Sequence, residues 1–85
     1  MNNPNELGML VVDDDPQALT VVENILQALG AKNILTVDDS RRVMPLLAER
    51  KISLIILDLI MPHVKGQELL AQITAEHPDI TVIIM

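Results

Sequence analysis

The sequence predicts an α/β fold in which a parallel sheet carries helices on both faces, and three observations lead there. Short apolar runs stop at aspartates, stretches of helical periodicity separate the runs, and the runs begin near residues 8, 33, 52 and 80. Those intervals are too long for hairpins and suit repeated strand-helix-strand units. Right-handed crossovers then place helices on both faces and gather the loops that follow the strands at the carboxyl edge. The 85 residues supply one small domain. Hydrophobic residues make up 49% and charged residues 21%, a balance that supports a packed core and excludes intrinsic disorder.

The first run, Gly8-Met-Leu-Val-Val12, is apolar throughout, too short for a helix and without the alternation of a half-exposed strand, so it reads as a buried strand. Asp15 followed by Pro16 supplies a cap and a first-turn proline. Ala18, Val22, Ile25, Leu26 and Leu29 then recur at helical spacing up to Gly30. Asn33 to Val37 is a second strand that ends at Asp38-Asp39. Ser40 to Arg50 carries Val43, Met44, Leu46 and Leu47 at helical spacing, but Pro45 inside a regular helix would cost ~3 kcal/mol, so a kinked or late-starting helix is expected. Ile52 to Leu57 is the third strand. After a loop from Leu59 to Gly66, Leu69, Leu70 and Ile73 mark a third helix that stops at His77-Pro78, and Ile80 to Met85 is a fourth strand.

Composition narrows the chemistry. Phe, Trp and Tyr are absent, so the core is aliphatic and no platform exists for stacking bases or sugars. A net charge of −6 repels phosphate backbones and anionic lipid headgroups, which argues against nucleic-acid or membrane partners for this segment. Without cysteine there is no thiolate nucleophile and no disulfide, as suits a reducing compartment. The start, Met1 to Glu6, lacks the basic and apolar regions of a signal peptide, and the most apolar stretch, Ile52 to Met61, is half a membrane span and is broken by Asp58. A soluble, cytoplasmic protein is expected.

Asp13, Asp14, Asp15, Asp38, Asp39 and Asp58 all fall at the predicted carboxyl edge. With the first and third strands adjacent, Asp13 or Asp14 and Asp58 converge, and bare carboxylates so close would force a proton onto one of them unless a cation relieves the repulsion. Oxygen-only ligands favour a hard ion, and Mg²⁺ bound by few carboxylates often completes its shell with phosphate oxygen. A carboxylate can also attack phosphorus to give an acyl phosphate, and Asp58 is the best placed to do so. Local readings cover the other residues near these ends: Asp15 as a helix cap, Asp38 and Asp39 as turn and cap, His63 and His77 as solvated loop residues, Met61 and Pro62 as loop formers.

Four features together resemble the receiver domains of bacterial two-component response regulators. They are Leu10-Val-Val-Asp-Asp-Asp-Pro16, Leu54-Ile-Ile-Leu-Asp-Leu-Ile-Met-Pro62 with Gly66 four beyond, the 45 residues separating Asp13 from Asp58, and Pro78 leading into Ile80-Thr-Val-Ile-Ile-Met85. The resemblance implies a flavodoxin-like sheet in the order 2-1-3-4. It further implies phosphorylation of Asp58, and Mg²⁺ held by Asp13, Asp14, Asp58 and the main-chain oxygen of Ile60. The donor would be a phosphohistidine on a sensor kinase or phosphotransfer protein, and the domain would be a phosphoacceptor in signalling and not an enzyme.

The family's switch hydroxyl and phosphate-binding lysine would both lie beyond Met85, as would its fifth strand and last two helices. Lys51 stands at the wrong end of the sheet, and Lys65, though in the right loop, is not assigned the missing role. The expectation is therefore a single domain, residues 1–85, forming the first two-thirds of a receiver. Its fourth strand would be an unpaired edge, its sheet face of Leu10, Val12, Ile55 or their alternates would be partly bare, and the chain would associate with itself. Two other functions compete. Val11 to Asp15 also fits the start of haloacid-dehalogenase-like phosphatases, with Asp13 as nucleophile and Asp15 as acid, although that family has Thr or Val where this chain has Gln17. A receiver-like interaction module that works without phosphorylation is the third reading.

Overall fold

A computed structural model describes residues 8–59 and 66–85. Four strands, β1 (Gly8–Val12), β2 (Ile34–Val37), β3 (Ile52–Leu57) and β4 (Thr81–Ile84), alternate with the helices α1 (Pro16–Ala28), α2 (Val43–Glu49) and α3 (Gly66–Glu76). Every strand pair is parallel and the sheet order is β2-β1-β3-β4, as expected. β1 is flanked on both sides, with Leu10 opposite Leu35 and Ile55, which explains why its sequence is apolar without alternation.

Local sequence accounts for the element ends. Asp15 caps α1 by accepting the Gln17 amide at 2.9 Å, and Pro16 occupies the first turn. Gly30 leaves the helix at φ +92°, a left-handed conformation that places its amide on the Gln27 carbonyl and the Ala31 amide on Leu26. Asn33 is also left-handed, at φ +56°, so β2 starts at Ile34, one residue later than the sequence suggested. α2 starts late: a 3₁₀ turn at Ser40–Arg42 precedes it, capped by Asp39, and Pro45 becomes the third helical residue, where no intrahelical hydrogen bond is lost.

Two apolar clusters fill the two faces of the sheet. α2 and α3 close one face over Leu10, Val12, Val37, Ile55 and Leu57, together with Val43, Leu47, Leu69 and Ile73. On the other, α1 packs on β1 and β2, and Leu19 meets Val11 and Ile56 with Val22, Leu26 and Ile34 at the margin.

The structure chooses between two possible stripes of α1 and corrects the expectation of a bare sheet face. The inward stripe of α1 runs through Leu19, Val22 and Leu26, while Ile25 and Leu29 are 55% and 79% exposed. The helix is apolar around so much of its circumference that two stripes satisfy the same spacing, and contact with Val11 selects between them. Leu10, Val12 and Ile55 are fully buried, because their face is the one with two helices. Their alternates Val11 and Ile56 are buried as well, and the exposed apolar surface of the sheet falls on the last strand, at Ile83, Ile84 and Met85.

Candidate metal centre

The carboxyl ends of β1 and β3 are held in line by main-chain bonds that continue the ladders past the last strand residues. The Asp13 amide donates to the Val37 carbonyl at 3.1 Å, and the Asp58 amide to Val12 at 3.0 Å. Asp13 is buried, and its Oδ1 accepts the Asp15 amide at 3.0 Å, which turns the chain from strand towards helix and leaves Asp14 at the outside of the bend. Asp13, Asp14 and Asp58 each offer a carboxylate oxygen, and the three oxygens lie within 4.8 Å of one another.

That proximity has an electrostatic cost. Burial raises the Asp13 pKa above its ordinary value; the Asp15 amide opposes the shift, and the negative charges of Asp58 and Asp14 add to it. Asp13 and Ser40 are the buried polar residues among those described, and Ser40 keeps a buried hydroxyl without a hydrogen-bond partner. Ser40 has only a local desolvation cost, whereas the carboxylates share a field that a divalent cation would neutralise. Three oxygen donors, with no nitrogen or sulfur donor in the cluster among the described residues, suit Mg²⁺ or another hard ion.

The remaining sequence candidates lie elsewhere. Asp15 is committed to capping α1, and Asp39 caps the 3₁₀ turn and binds Arg41 through both carboxylate oxygens, at 3.0 and 2.8 Å. Neither belongs to the cluster. Lys51 stands at the start of β3, at the opposite end of the sheet. Ile60, Met61, Pro62, His63 and Lys65 lie outside the described residues. Gly66 had no expected role beyond its place in a motif, yet its amide donates to the Leu59 carbonyl beside Asp58, at 3.0 Å.

Comparison with known proteins decides the family. The model of the response regulator receiver domain matches residues 9–85. The chain belongs to this family. The receiver domain is similar to the response regulator protein FleR of Pseudomonas aeruginosa, 32% identical over 77 residues that make up 91% of this chain and 16% of FleR. It is also similar to the chemotaxis protein CheY-3 of Vibrio cholerae, 32% identical over 70 residues, 82% of this chain and 54% of that one. The chain thus spans about half or less of these relatives. Among solved structures, the response regulator TrrA from Thermotoga maritima, in complex with Mg²⁺ and beryllium fluoride, superposes with a TM-score of 0.85 at 28% identity, covering 93% of this chain and 68% of TrrA. The flavodoxin-like fold of receiver domains is therefore the fold of this chain, and its family is one of signalling domains. Among the described residues, no helix is long and apolar enough to cross a membrane.

Proposed function

We propose that this receiver domain accepts a phosphoryl group on Asp58 from a phosphohistidine of a sensor kinase or phosphotransfer protein. The observation that carries the reading is the convergence of Asp13, Asp14 and Asp58 within 4.8 Å at the carboxyl edge of the sheet. These three carboxylates would hold Mg²⁺, with the main-chain oxygen of Ile60, outside the described residues, as a further ligand. Bound there, Mg²⁺ supplies positive charge that offsets the carboxylates and the oxygens of the transferring group.

The chain's own residues do the rest. An oxygen of Asp58 attacks phosphorus in line with the donor nitrogen; the new P–O bond gives an acyl phosphate as the P–N bond breaks, and the imidazole leaves with the electron pair and takes up a proton. Asp13, tied to the Asp15 amide, fixes one side of the site, and Asp14 supplies an exposed carboxylate at its mouth. The phosphatase alternative would need Asp15 as an acid, and its side chain is engaged in capping α1. In this role the chain acts as a single receiver unit in the cytoplasm without direct nucleic-acid contact. It associates with itself through the edge at β4, where Ile83, Ile84 and Met85 are 47%, 41% and 48% exposed.

Acetyl phosphate or beryllofluoride with Mg²⁺, followed by intact mass or amide NMR, tests the proposal. Modification of the wild type that disappears in Asp58→Asn and in excess chelator is expected. Modification that persists in either would overturn it, steady hydrolysis of an aryl phosphate would restore the phosphatase, and an unmodified wild type would favour the phosphorylation-independent module.

A further inference from the structure

Gly66 opens α3, and its surroundings differ from those of the other two glycines. A Cβ added there would fall inside the contact distance of the Leu59 Cα, carbonyl carbon and oxygen. All three are backbone atoms, so no side-chain rotation relieves the overlap and the two backbone segments would have to move apart. Gly30 is constrained by its φ of +92°, with nothing within 4 Å of an added Cβ, and Gly8 meets the Asn33 carbonyl oxygen at 3.0 Å, at the amino end of the sheet. Gly66 is therefore the glycine that close approach of two backbones requires next to the acidic cluster.

What it approaches matters. Leu59 follows Asp58, and one planar peptide joins them, so a displacement of Leu59 is passed directly to Asp58. On its other side, Asp58 is tied to β1 through its amide bond to the Val12 carbonyl at 3.0 Å. Asp58 thus sits between two main-chain fastenings, one to β1 and one, through Leu59, to the first residue of α3. The second also satisfies the Gly66 amide, which as the first of a helix has no intrahelical acceptor.

Resting on the function proposed above, we infer that Gly66 is a positioning residue: the contact of Gly66 with the Leu59 backbone sets where the Asp58 carboxylate stands relative to Asp13 and Asp14. Metal binding and phosphoryl acceptance therefore depend on a residue that touches neither. Outer groups that orient ligands change metal affinity by roughly 10–100-fold when altered, and a misplacement of ~1 Å at a reacting group can cost about 100-fold in rate.

The test compares Gly66→Ala with Gly30→Ala in the full chain, by calorimetric titration with Mg²⁺ and by thermal unfolding in chelator. Gly66→Ala is expected to weaken Mg²⁺ binding by roughly tenfold or more, and Gly30→Ala to lower the unfolding temperature while retaining wild-type affinity. Wild-type affinity in Gly66→Ala, or parallel losses in both variants, would overturn the inference. Two metal-free readouts stand apart from the function and from the folding of any variant. Amide NMR of Gly66→Ala should show displaced Asp58 and Leu59 signals, and unchanged signals would refute the contact. In the wild type, the Gly66 amide should exchange as slowly as those inside α3, because the Leu59 carbonyl protects it; exchange at the rate of an open loop would refute it even if Gly66→Ala does not fold. A wild type that binds no Mg²⁺ but passes both metal-free tests would overturn the proposed function alone.

Discussion

On one face of the sheet, α2 and α3 bury Leu10, Val12, Ile55 and Leu57 completely; on the other, α1 lies over β1 and β2, and Ile83 of β4 remains 47% exposed. Both faces are made of the same aliphatic residues on the same strands, so the difference comes from what covers them. The acidic cluster belongs to the thinner side: Asp13 and Asp58 continue the alternation that carries Val11 and Ile56 there. The carboxylate cluster stands where fewer apolar contacts enclose it, and the more closely packed face supplies the rigidity that holds it.

Truncation of the two faces is the most demanding way to break this comparison. Leu10→Ala or Ile55→Ala should cost about 2–5 kcal/mol, because the residues around each are fixed by two helices and cannot collapse into the cavity. Leu19→Ala removes the same number of carbons from the α1 side and should cost less, since its cluster borders open surface. Urea unfolding of the three variants checks this, and equal losses would mean that the faces are packed alike.

Association tests the exposed part of the thinner face. Burying an isoleucine in an interface is worth about 1.5–3 kcal/mol, so Ile83→Lys should raise the dissociation constant of any dimer through β4 by roughly tenfold or more. Sedimentation over a range of concentrations reads the change. A wild type that stays monomeric at every concentration, or a variant that associates just as well, would remove β4 from the account.

The sequence was most legible where one physical demand dominated. β3 runs from Ile52 to Leu57, as its apolar run, interrupted only by the exposed Ser53, required, because a parallel strand covered on both faces leaves little room for polar residues. Asp58 was legible for the complementary reason: a carboxylate ending such a run has no packing role. Where two arrangements satisfied the same pattern, the sequence could not choose. The inward stripe of α1 depended on contact with Val11, and the covered set on the sheet depended on which side received two helices. Gly66 escaped because its constraint is a close approach to Leu59, and no periodicity encodes that.

Asp13 sharpens the comparison through pH. Its pKa is raised chiefly by burial, so the folded chain holds this proton more tightly than the unfolded chain does. The stability that this provides is fully present below the ordinary carboxylate range and is lost as pH rises through the raised pKa. Without metal, Asp13→Asn should therefore be more stable than the wild type at neutral pH, and the difference should fade as pH falls into the carboxylate range. Thermal unfolding in chelator between pH 4 and 7 reads it, and saturating Mg²⁺ should reverse the order by stabilising only the wild type. An unchanged gap across the range would show that burial of Asp13 carries no such cost.

The smallest effect is expected on the outer side of α1, and it tests whether the helix is read in the right orientation. Ile25 and Leu29 are 55% and 79% exposed, while Leu19, two turns back from Leu26, faces Val11 and Ile56. Replacing Leu29 by glutamine removes little buried area and keeps a good helix former, so the change should move stability by no more than about 0.5 kcal/mol, and the half-covered Ile25 should cost more than Leu29 but less than Leu19→Ala. Rotating the helix to bury the stripe of Ala18, Val22, Ile25 and Leu29 would make the same substitutions as damaging as Leu19→Ala. Urea midpoints therefore distinguish the orientations, and a loss at Ile25 or Leu29 equal to that at Leu19 would show that α1 turns its other side to the sheet.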